Sequence, residues 1–243
     1  MKVVISGYGK MGKTIESICR ERGHEIIAVL DNEKDWKQLK DCSASDTVVI
    51  DFSMPAVAVD NLFRSFSLGL NVVTGTTGWY DRLEEVKSVC NENGTALMYS
   101  PNFSLGVNVL FYVNKILANV MSKIGSYRGK LNEIHHIHKL DAPSGTALRL
   151  VQDILKENKA LSRWVESESN NADEFPVLSF REGEVPGIHE IVYESEADVL
   201  TLKHEAKNRK GFALGAVLAA EFLNGRQGIY TMEDYLKTLG MEL

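Results

Sequence analysis

Positions 133–146 read Glu-Ile-His-His-Ile-His-Lys-Leu-Asp-Ala-Pro-Ser-Gly-Thr, which places three of the chain's six histidines within four positions of one another. Lys139 follows at once, and Pro143-Ser144-Gly145-Thr146 has the composition of a loop feeding a helix N-terminus. Proton donors thus stand beside backbone N–H groups suited to an anion. That is the equipment for binding a carboxylate and protonating a carbon or nitrogen. Side chains alternate along an extended strand, so Glu133, His135, Ile137 and Lys139 share one face if the strand persists that far. Ile134, His136 and His138 then share the other. His135 and Lys139 are therefore a candidate catalytic pair. Ser144 is a suitable N-cap, and Gly145 and Thr146 would offer free N–H groups and the favourable end of a helix dipole to a carboxylate. His-His-x-His is also ligand-rich, so metal binding is the competing chemistry. No cysteine is near, and adjacent histidines on opposite strand faces do not easily converge, so no metal is expected. A solvated polar strand end is the plain alternative.

A second constellation stands at the other end of the chain. Lys2-Val-Val-Ile-Ser-Gly7-Tyr8-Gly9-Lys10-Met11-Gly12 reads as a buried strand running into a glycine-rich turn, the dinucleotide fingerprint. Its glycines would serve the tight turn, the close approach of backbone to pyrophosphate, and helix–strand packing. Asp31 closes the next strand-like run, where its carboxylate would accept hydrogen bonds from the adenosine ribose and repel a 2′-phosphate. Lys10, Asn32 and Lys34 lie close enough in sequence to soften that repulsion. The expected cofactor is NADH or NADPH, with NADH slightly favoured. A strand–helix turn without a ligand is the alternative. Taken together, the two constellations point to a nicotinamide-dependent reductase.

The elements that must position these residues follow from hydrophobic pattern. Residues 2–6 are nearly all apolar, as in a strand buried on both faces of a parallel sheet. Four more strand-like runs occupy 24–31, 47–52, 71–77 and 95–99, with helical spacing at 13–22, 56–68 and 82–92 between them. The alternation predicts an α/β fold whose N-terminal part is a Rossmann-type doubly wound parallel sheet, with ligands at the strands' carboxyl ends. From Val109 the apolar series 109, 113, 116, 120, 124 predicts one long amphipathic helix that marks a change of domain. A helix over 144–157, a polar loop over 157–173, strands at 177–181, 188–194 and 199–204, a helix at 212–224 and a last short one from Met232 follow. That order predicts a C-terminal α+β substrate and oligomerisation domain with an open mixed sheet. The domains are expected at 1–104, with a return near 208–243, and at 105–207.

With 243 residues, 44% hydrophobic and 25% charged, the chain can bury one large or two modest cores. A formal charge of −6 without a long basic run argues against a nucleic-acid partner. Val3-Val4-Ile5 is too short for a signal peptide, and no stretch approaches the roughly 20 apolar residues of a membrane span. The three cysteines, Cys19, Cys42 and Cys90, are scattered and outside metal-ligand spacing, which suggests reduced thiols in the cytoplasm.

At His135–Ala147 the run His-His-x-His-Lys-x-Asp-Ala-Pro-Ser-Gly-Thr-Ala resembles the signature of the dihydrodipicolinate reductase family, the reductases of the diaminopimelate route to lysine. Gly75-Thr76-Thr77, Asn102-Phe-Ser-x-Gly-Val-Asn108, His204-x-Ala206, Arg209 and Phe212-Ala-x-Gly-Ala216 extend the similarity along the chain. The resemblance implies NAD(P)H-dependent reduction of 4-hydroxy-tetrahydrodipicolinate or dihydrodipicolinate, a small cyclic dicarboxylate, to tetrahydrodipicolinate. It implies that Gly75–Thr77 and Ser100-Pro101-Asn102-Phe103 line the nicotinamide side. It gives the acid–base chemistry to His135 and Lys139, the substrate carboxylates to His136 and Ser144–Thr146, and the assembly as a homotetramer. The chain departs from the family twice. Its glycine turn is one residue shorter than in many members, with Lys10 for the usual arginine, which bears on cofactor choice. The region 160–190 is short, which bears on subunit contacts. Two rivals stay open: a Rossmann dehydrogenase acting on an amino acid such as aspartate, and a non-catalytic dinucleotide sensor.

Overall fold

The computed structural model describes residues 1–39 and 46–241; Cys42 lies outside them. The chain runs β1 (Lys2–Ser6), α1 (Lys10–Glu21), β2 (Glu25–Leu30), β3 (Thr47–Asp51), α2 (Pro55–Ser67), β4 (Asn71–Thr74), α3 (Leu83–Glu92) and β5 (Ala96–Tyr99). Then come α4 (Leu105–Ile124), β6 (Arg128–His135), α5 (Gly145–Glu157), β7 (Arg163–Val165), β8 (Glu174–Arg181), β9 (Ile188–Glu194) and β10 (Val199–Glu205). It ends with α6 (Lys210–Leu223), β11 (Gly228–Tyr230) and α7 (Met232–Lys237). Two compact units emerge, Met1–Leu105 with Lys210–Leu243, and Gly106–Arg209.

The first unit is a six-stranded sheet in the order β11-β5-β4-β3-β1-β2, and every described pairing is parallel. Alternate residues of one strand go to opposite cores, which is why these strands read as unbroken apolar runs. Val3, Ile5, Val48, Ile50 and Val73 face α1 and α6 through Ile15, Ile18, Ala216, Val217 and Ala220. Val4, Val49 and Val72 face α2 and α3 through Leu62, Phe66, Val86 and Cys90. Each fully buried Val or Ile contributes roughly 1.5–3 kcal/mol of transfer free energy, so both layers hold the sheet. The strand order reverses at β1, with β2 on one side and β3 on the other, so the first glycine turn opens at the switch point where such sheets bind ligands. Cys19 and Cys90 are buried free thiols, and burial pushes the Cys19 thiol up to about 12.

The second unit is a five-stranded mixed sheet, β10-β9-β6-β8-β7. Central β6 runs antiparallel to β9 and parallel to β8. Helices α4 and α5 pack on this sheet: Leu131, Phe175, Val177, Ile191 and Tyr193 meet Leu110, Phe111, Leu150, Val151 and Ile154.

Four expectations need correction. Helix α1 begins at Lys10 rather than Lys13, because Gly9 is itself the extended N-cap residue. Strands β7 and β11 appear where a loop was expected or nothing was; at three residues each they are too short for a period to register. Helix α4 is present, but its core face is Val107, Leu110, Phe111, Ala118 and Met121. The series 109, 113, 116, 120, 124 lies on the other side, with Ile116, Val120 and Ile124 about half exposed. Finally, α4 is long and apolar enough by length and composition alone to cross a membrane, at 20 residues and a mean hydropathy of 1.2. Its inner face is packed into the second unit's core, as in a core helix.

Candidate active site

Strand alternation delivers Glu133 and His135 together to the helix-covered face of the second sheet, 0% and 7% exposed. The strand stops there. The β8 pairing ends at His135 opposite Arg181 and the β9 pairing at Ile134 opposite Ile188, so no ladder continues to Lys139. The expected face shared by Glu133, His135, Ile137 and Lys139 therefore does not form. Lys139 is placed by a turn instead, in which its N–H donates to the His136 carbonyl at 3.1 Å and Ile137 N–H donates to the Gly183 carbonyl at 3.1 Å. Its ammonium sits on both Asp141 oxygens, at 2.7 and 2.9 Å. That hydrogen-bonded ammonium holds the Asp141 carboxyl below its ordinary range. Arg181 clamps the same loop, donating to the carbonyls of Lys139 and Asp141 while its guanidinium stands 3.4 Å from Glu133.

Ser144 is the N-cap of α5, its Oγ accepting the Ala147 N–H at 3.2 Å. The Ser144 N–H donates to both Glu133 oxygens at 3.1 Å, so the buried carboxylate anchors the helix start to the sheet. A side-chain atom added at Gly145 would meet nothing within 4 Å, so the first turn of α5 opens onto free space. His189 completes the buried group from β9, its Nε2 3.2 Å from the Ser144 Oγ and its ring edge-on to His135 with centroids 5.2 Å apart. His136 and His138 lie outside this group, ring centroids 6.0 Å apart, and exposed His138 contacts Glu184 at 3.2 Å.

Charge in the cluster is set by burial and by its donors. Burial alone would raise the Glu133 carboxyl, but hydrogen bonding from Ser144, whose amide reaches both carboxylate oxygens, outweighs it and holds the group below the usual range. Burial depresses His135, with Glu133 opposing and Lys139 and Arg181 reinforcing. Burial takes His189 down to about 4, with His135 reinforcing. Both imidazoles are thus neutral at neutral pH, beside an ionised carboxylate. Glu133, His135 and His189 each offer a ligand atom, all within 4.8 Å of one another. A metal-capable group therefore arises across β6 and β9 rather than within His-His-x-His. The Ser144 amide and the Arg181 guanidinium already engage the carboxylate, which disfavours adding a dication.

In the first unit, Gly7 has φ +84°, and a Cβ there would overlap the Phe52 carbonyl, so only glycine fits. A Cβ on Gly12 would overlap the Gly7 carbonyl, whereas Gly9 has open space around it. Helix α1 starts at that open position, with no side-chain cap. The Tyr8 N–H donates to Asp31 Oδ1 at 3.0 Å, so the acid closing β2 is fixed against the turn. Lys10 is exposed and Met11 half-buried on the first turn of α1. Buried Asp51 ties the strand ends together, accepting from Ser6 at 2.7 Å, Thr74 at 3.0 Å and Thr76 at 2.8 Å. Gly75 gives room to the Phe52 ring, and Thr77 is exposed. Ser100 and Asn102 lock their own turn, the Ser100 hydroxyl donating to the Asn102 carbonyl at 2.8 Å, with Pro101 exposed between them. Phe103 is only 2% exposed and belongs to the core, 6.1 Å from the Phe52 ring.

Two family models cover the chain: dihydrodipicolinate reductase, N-terminus, over residues 1–103, and dihydrodipicolinate reductase, C-terminus, over residues 106–236. The chain belongs to the dihydrodipicolinate reductase family. A 4-hydroxy-tetrahydrodipicolinate reductase of Christiangramia forsetii is 44% identical over 239 residues, covering 98% of this chain and 99% of the relative. Another, from Clostridium novyi, is 32% identical, covering 98% of each chain. Among solved structures, a dipicolinate-bound dihydrodipicolinate reductase from Paenisporosarcina sp. TG-14 superposes with a TM-score of 0.75 at 21% identity. It covers 95% of this chain and 97% of that one, which confirms the Rossmann-like sheet with a second, mixed sheet. The family's reductant is NADH or NADPH.

Within this family member, sequence reasoning missed four partners. Asp141 stands inside the motif but carries no signal of its ion pair with Lys139. Arg181, His189 and Asp51 reach their clusters only through sheet pairing, and Glu133 was visible only as a neighbour on the strand. Spacing of two from His135 on a strand ending in a motif was the one usable sign for Glu133.

Proposed function

We propose that the chain reduces 4-hydroxy-tetrahydrodipicolinate or dihydrodipicolinate to tetrahydrodipicolinate in the diaminopimelate route to lysine. The observation that carries this is that His135 and the N-terminal turn of α5 share the buried Glu133 carboxylate while Lys139, paired with Asp141, lies on the loop between them, in a chain whose homologues bear that name. Cofactor chemistry is the hydride supplied by NADH or NADPH. The first unit fits that group: the extended Gly9 leaves room for a pyrophosphate at the start of α1, and Asp31 is turned toward the same loop. Asp31 places NADH slightly ahead, with exposed Lys10 and Lys34 close in sequence. Gly7–Gly12, Gly75–Thr77 and Ser100–Phe103 form the dinucleotide-binding set, Phe103 acting from the core by supporting the Ser100–Asn102 turn.

The second unit holds the dicarboxylate. Ser144, Gly145 and Thr146 present helix-start amides to one carboxylate, and His136 contributes to its orientation. Reduction of dihydrodipicolinate adds one hydride and one proton; from 4-hydroxy-tetrahydrodipicolinate the ring C–OH bond also breaks, and the hydroxyl leaves with a ring proton as water before the hydride is added. Lys139 Nζ delivers the proton to the substrate, and its charge draws the dianion; Asp141 holds that ammonium in place until the substrate competes for it. Neutral His135 accepts and returns protons beside it. We also infer a homotetramer located in the cytoplasm. Family membership supports this, as do exposed Phe180, Val199 and Leu200, which give the mixed sheet apolar surface for subunit contact.

The test is oxidation of NADH and of NADPH by the purified protein, with substrate made in situ from pyruvate and aspartate semialdehyde by the upstream synthase. Turnover is expected with both cofactors. Clear NADH binding without turnover would sink the reductase and favour the sensor. Light scattering at the same concentration reads the tetramer.

A further inference from the structure

The Glu133 Oε2 atom lies 3.6 Å from His135 Nδ1 and 3.7 Å from His189 Nε2, so a single carboxylate oxygen faces the edges of two imidazoles. Glu133 is wholly buried, and His135 Nδ1 has no hydrogen-bond partner despite its own burial. Each gap is a little long for a hydrogen bond, and catalytic hydrogen bonds are often long before the substrate arrives. The other end of His135 is just as constrained. A Cβ on Gly187 would come within 3.1 Å of Nε2, so the glycine just before β9 leaves that nitrogen uncovered.

Building on the reductase reading, we propose that Glu133 is the positioning residue of the acid–base site. Its carboxylate takes the Nδ1–H of His135, fixing the tautomer whose Nε2 lone pair is free, while Gly187 keeps that nitrogen open. His189 is the second claimant on the same oxygen, and the Ser144 hydroxyl beside its Nε2 satisfies it when His135 holds the carboxylate. The logic is that of a buried acid orienting a histidine: the acid fixes the tautomer and does not itself give up a proton.

Every charged or titratable group around His135 bears on the test. Glu133 stands on its own strand, Arg181 on β8, His189 on β9, Lys139 and Asp141 on the loop after β6, and His204 on β10 bears on His189. The negative charge of Glu133 and Asp141 favours a protonated imidazole, and Lys139 and Arg181 oppose it. Replacing Glu133 by glutamine removes one of the two favouring charges and keeps an acceptor for the Ser144 N–H. Its amide can also donate to Nδ1, which turns His135 into the wrong tautomer, with hydrogen on Nε2.

The experiment is nitrogen-15 histidine spectroscopy on the full chain, with steady-state kinetics of wild type, Glu133→Gln and Glu133→Asp. In the wild type His135 is expected to carry hydrogen on Nδ1, and in Glu133→Gln on Nε2. The acidic limb of the kcat/KM profile is expected to move to lower pH in Glu133→Gln, with kcat down at least ~10-fold and KM for NADH unchanged. Glu133→Asp should restore part of kcat. An unchanged tautomer and limb in Glu133→Gln would overturn the proposal, as would a uniform loss of activity in step with lost thermal stability. Tight binding of added zinc that broadens both His135 and His189 would overturn it in favour of a metal site. Failure of the reductase reading is separate: it shows as an inactive wild type, whose tautomer is still read by the spectra.

Discussion

Lys139 and His135 sit four positions apart yet in different electrical settings. Lys139 ends a turn and is held by a carboxylate that is more than half exposed, so its charge can be shared with an arriving dianion. His135 is buried against an ionised glutamate and stays neutral. Replacing Lys139 by alanine should therefore lower kcat by ~10²–10⁴-fold with a smaller change in KM, as steady-state assays would show. Near-normal turnover would remove Lys139 from the role of acid. His189 gives a second prediction through stability. Its folded pKa of about 4 lies below the unfolded value, so the unfolded chain binds more protons between the two. The stability linked to it is complete above about pH 6.5 and is lost as pH falls toward 4, by an amount on the order of 3 kcal/mol. His189→Gln should flatten that part of a denaturant-derived stability profile. A profile as steep as wild type would show that the burial of His189 does not control acid sensitivity.

Elements explain which of these residues are legible in the sequence and which are not. The glycine turn is legible because each constraint is local: positive φ at Gly7, contact of Gly12 with the Gly7 carbonyl, and a buried strand before them. The helix start at Ser144 is legible for the same reason, since the cap and the amides it frees are sequence neighbours. Strand β6 misleads because its end is set by where β8 stops and β9 begins, which no periodicity within 128–139 records. Helix α4 misleads because it is apolar on both sides, so the series starting at Val109 competes with the true core series starting at Val107. The glycine turn supplies an element-scale prediction. Gly9→Ala has room for its methyl group and should leave the melting temperature nearly unchanged while raising KM for NADH about tenfold or more. Gly7→Ala, forced against the Phe52 carbonyl at positive φ, should destabilise the first unit outright. Equal NADH affinity in Gly9→Ala and wild type would move the pyrophosphate away from this turn.

At the scale of the molecule, each unit has its own core, and the proposed sites assign the two candidate ligands to different ones. The sheet clusters around Val3 and Val4 lie wholly in the first unit, and the cluster around Leu131 in the second. A ligand that binds only the folded form stabilises by RT ln(1 + [L]/Kd), about 2.7 kcal/mol at a hundredfold excess over Kd, and that gain goes first to the unit holding it. NADH should therefore slow amide exchange most at 7–12 and 75–77, at the carboxyl ends of β1 and β4. Pyridine-2,6-dicarboxylate, a stable planar analogue of the substrate class, should slow it most at 136–148, where the turn of Lys139 meets the start of α5. Exchange followed by mass spectrometry on the whole chain separates the two patterns. If the dicarboxylate protected 7–12 instead and left 136–148 unchanged, the helix-start amides of α5 would not be the carboxylate site. The assignment of Ser144, Gly145 and Thr146 would fall with it, while the dinucleotide turn would stand on the NADH pattern alone.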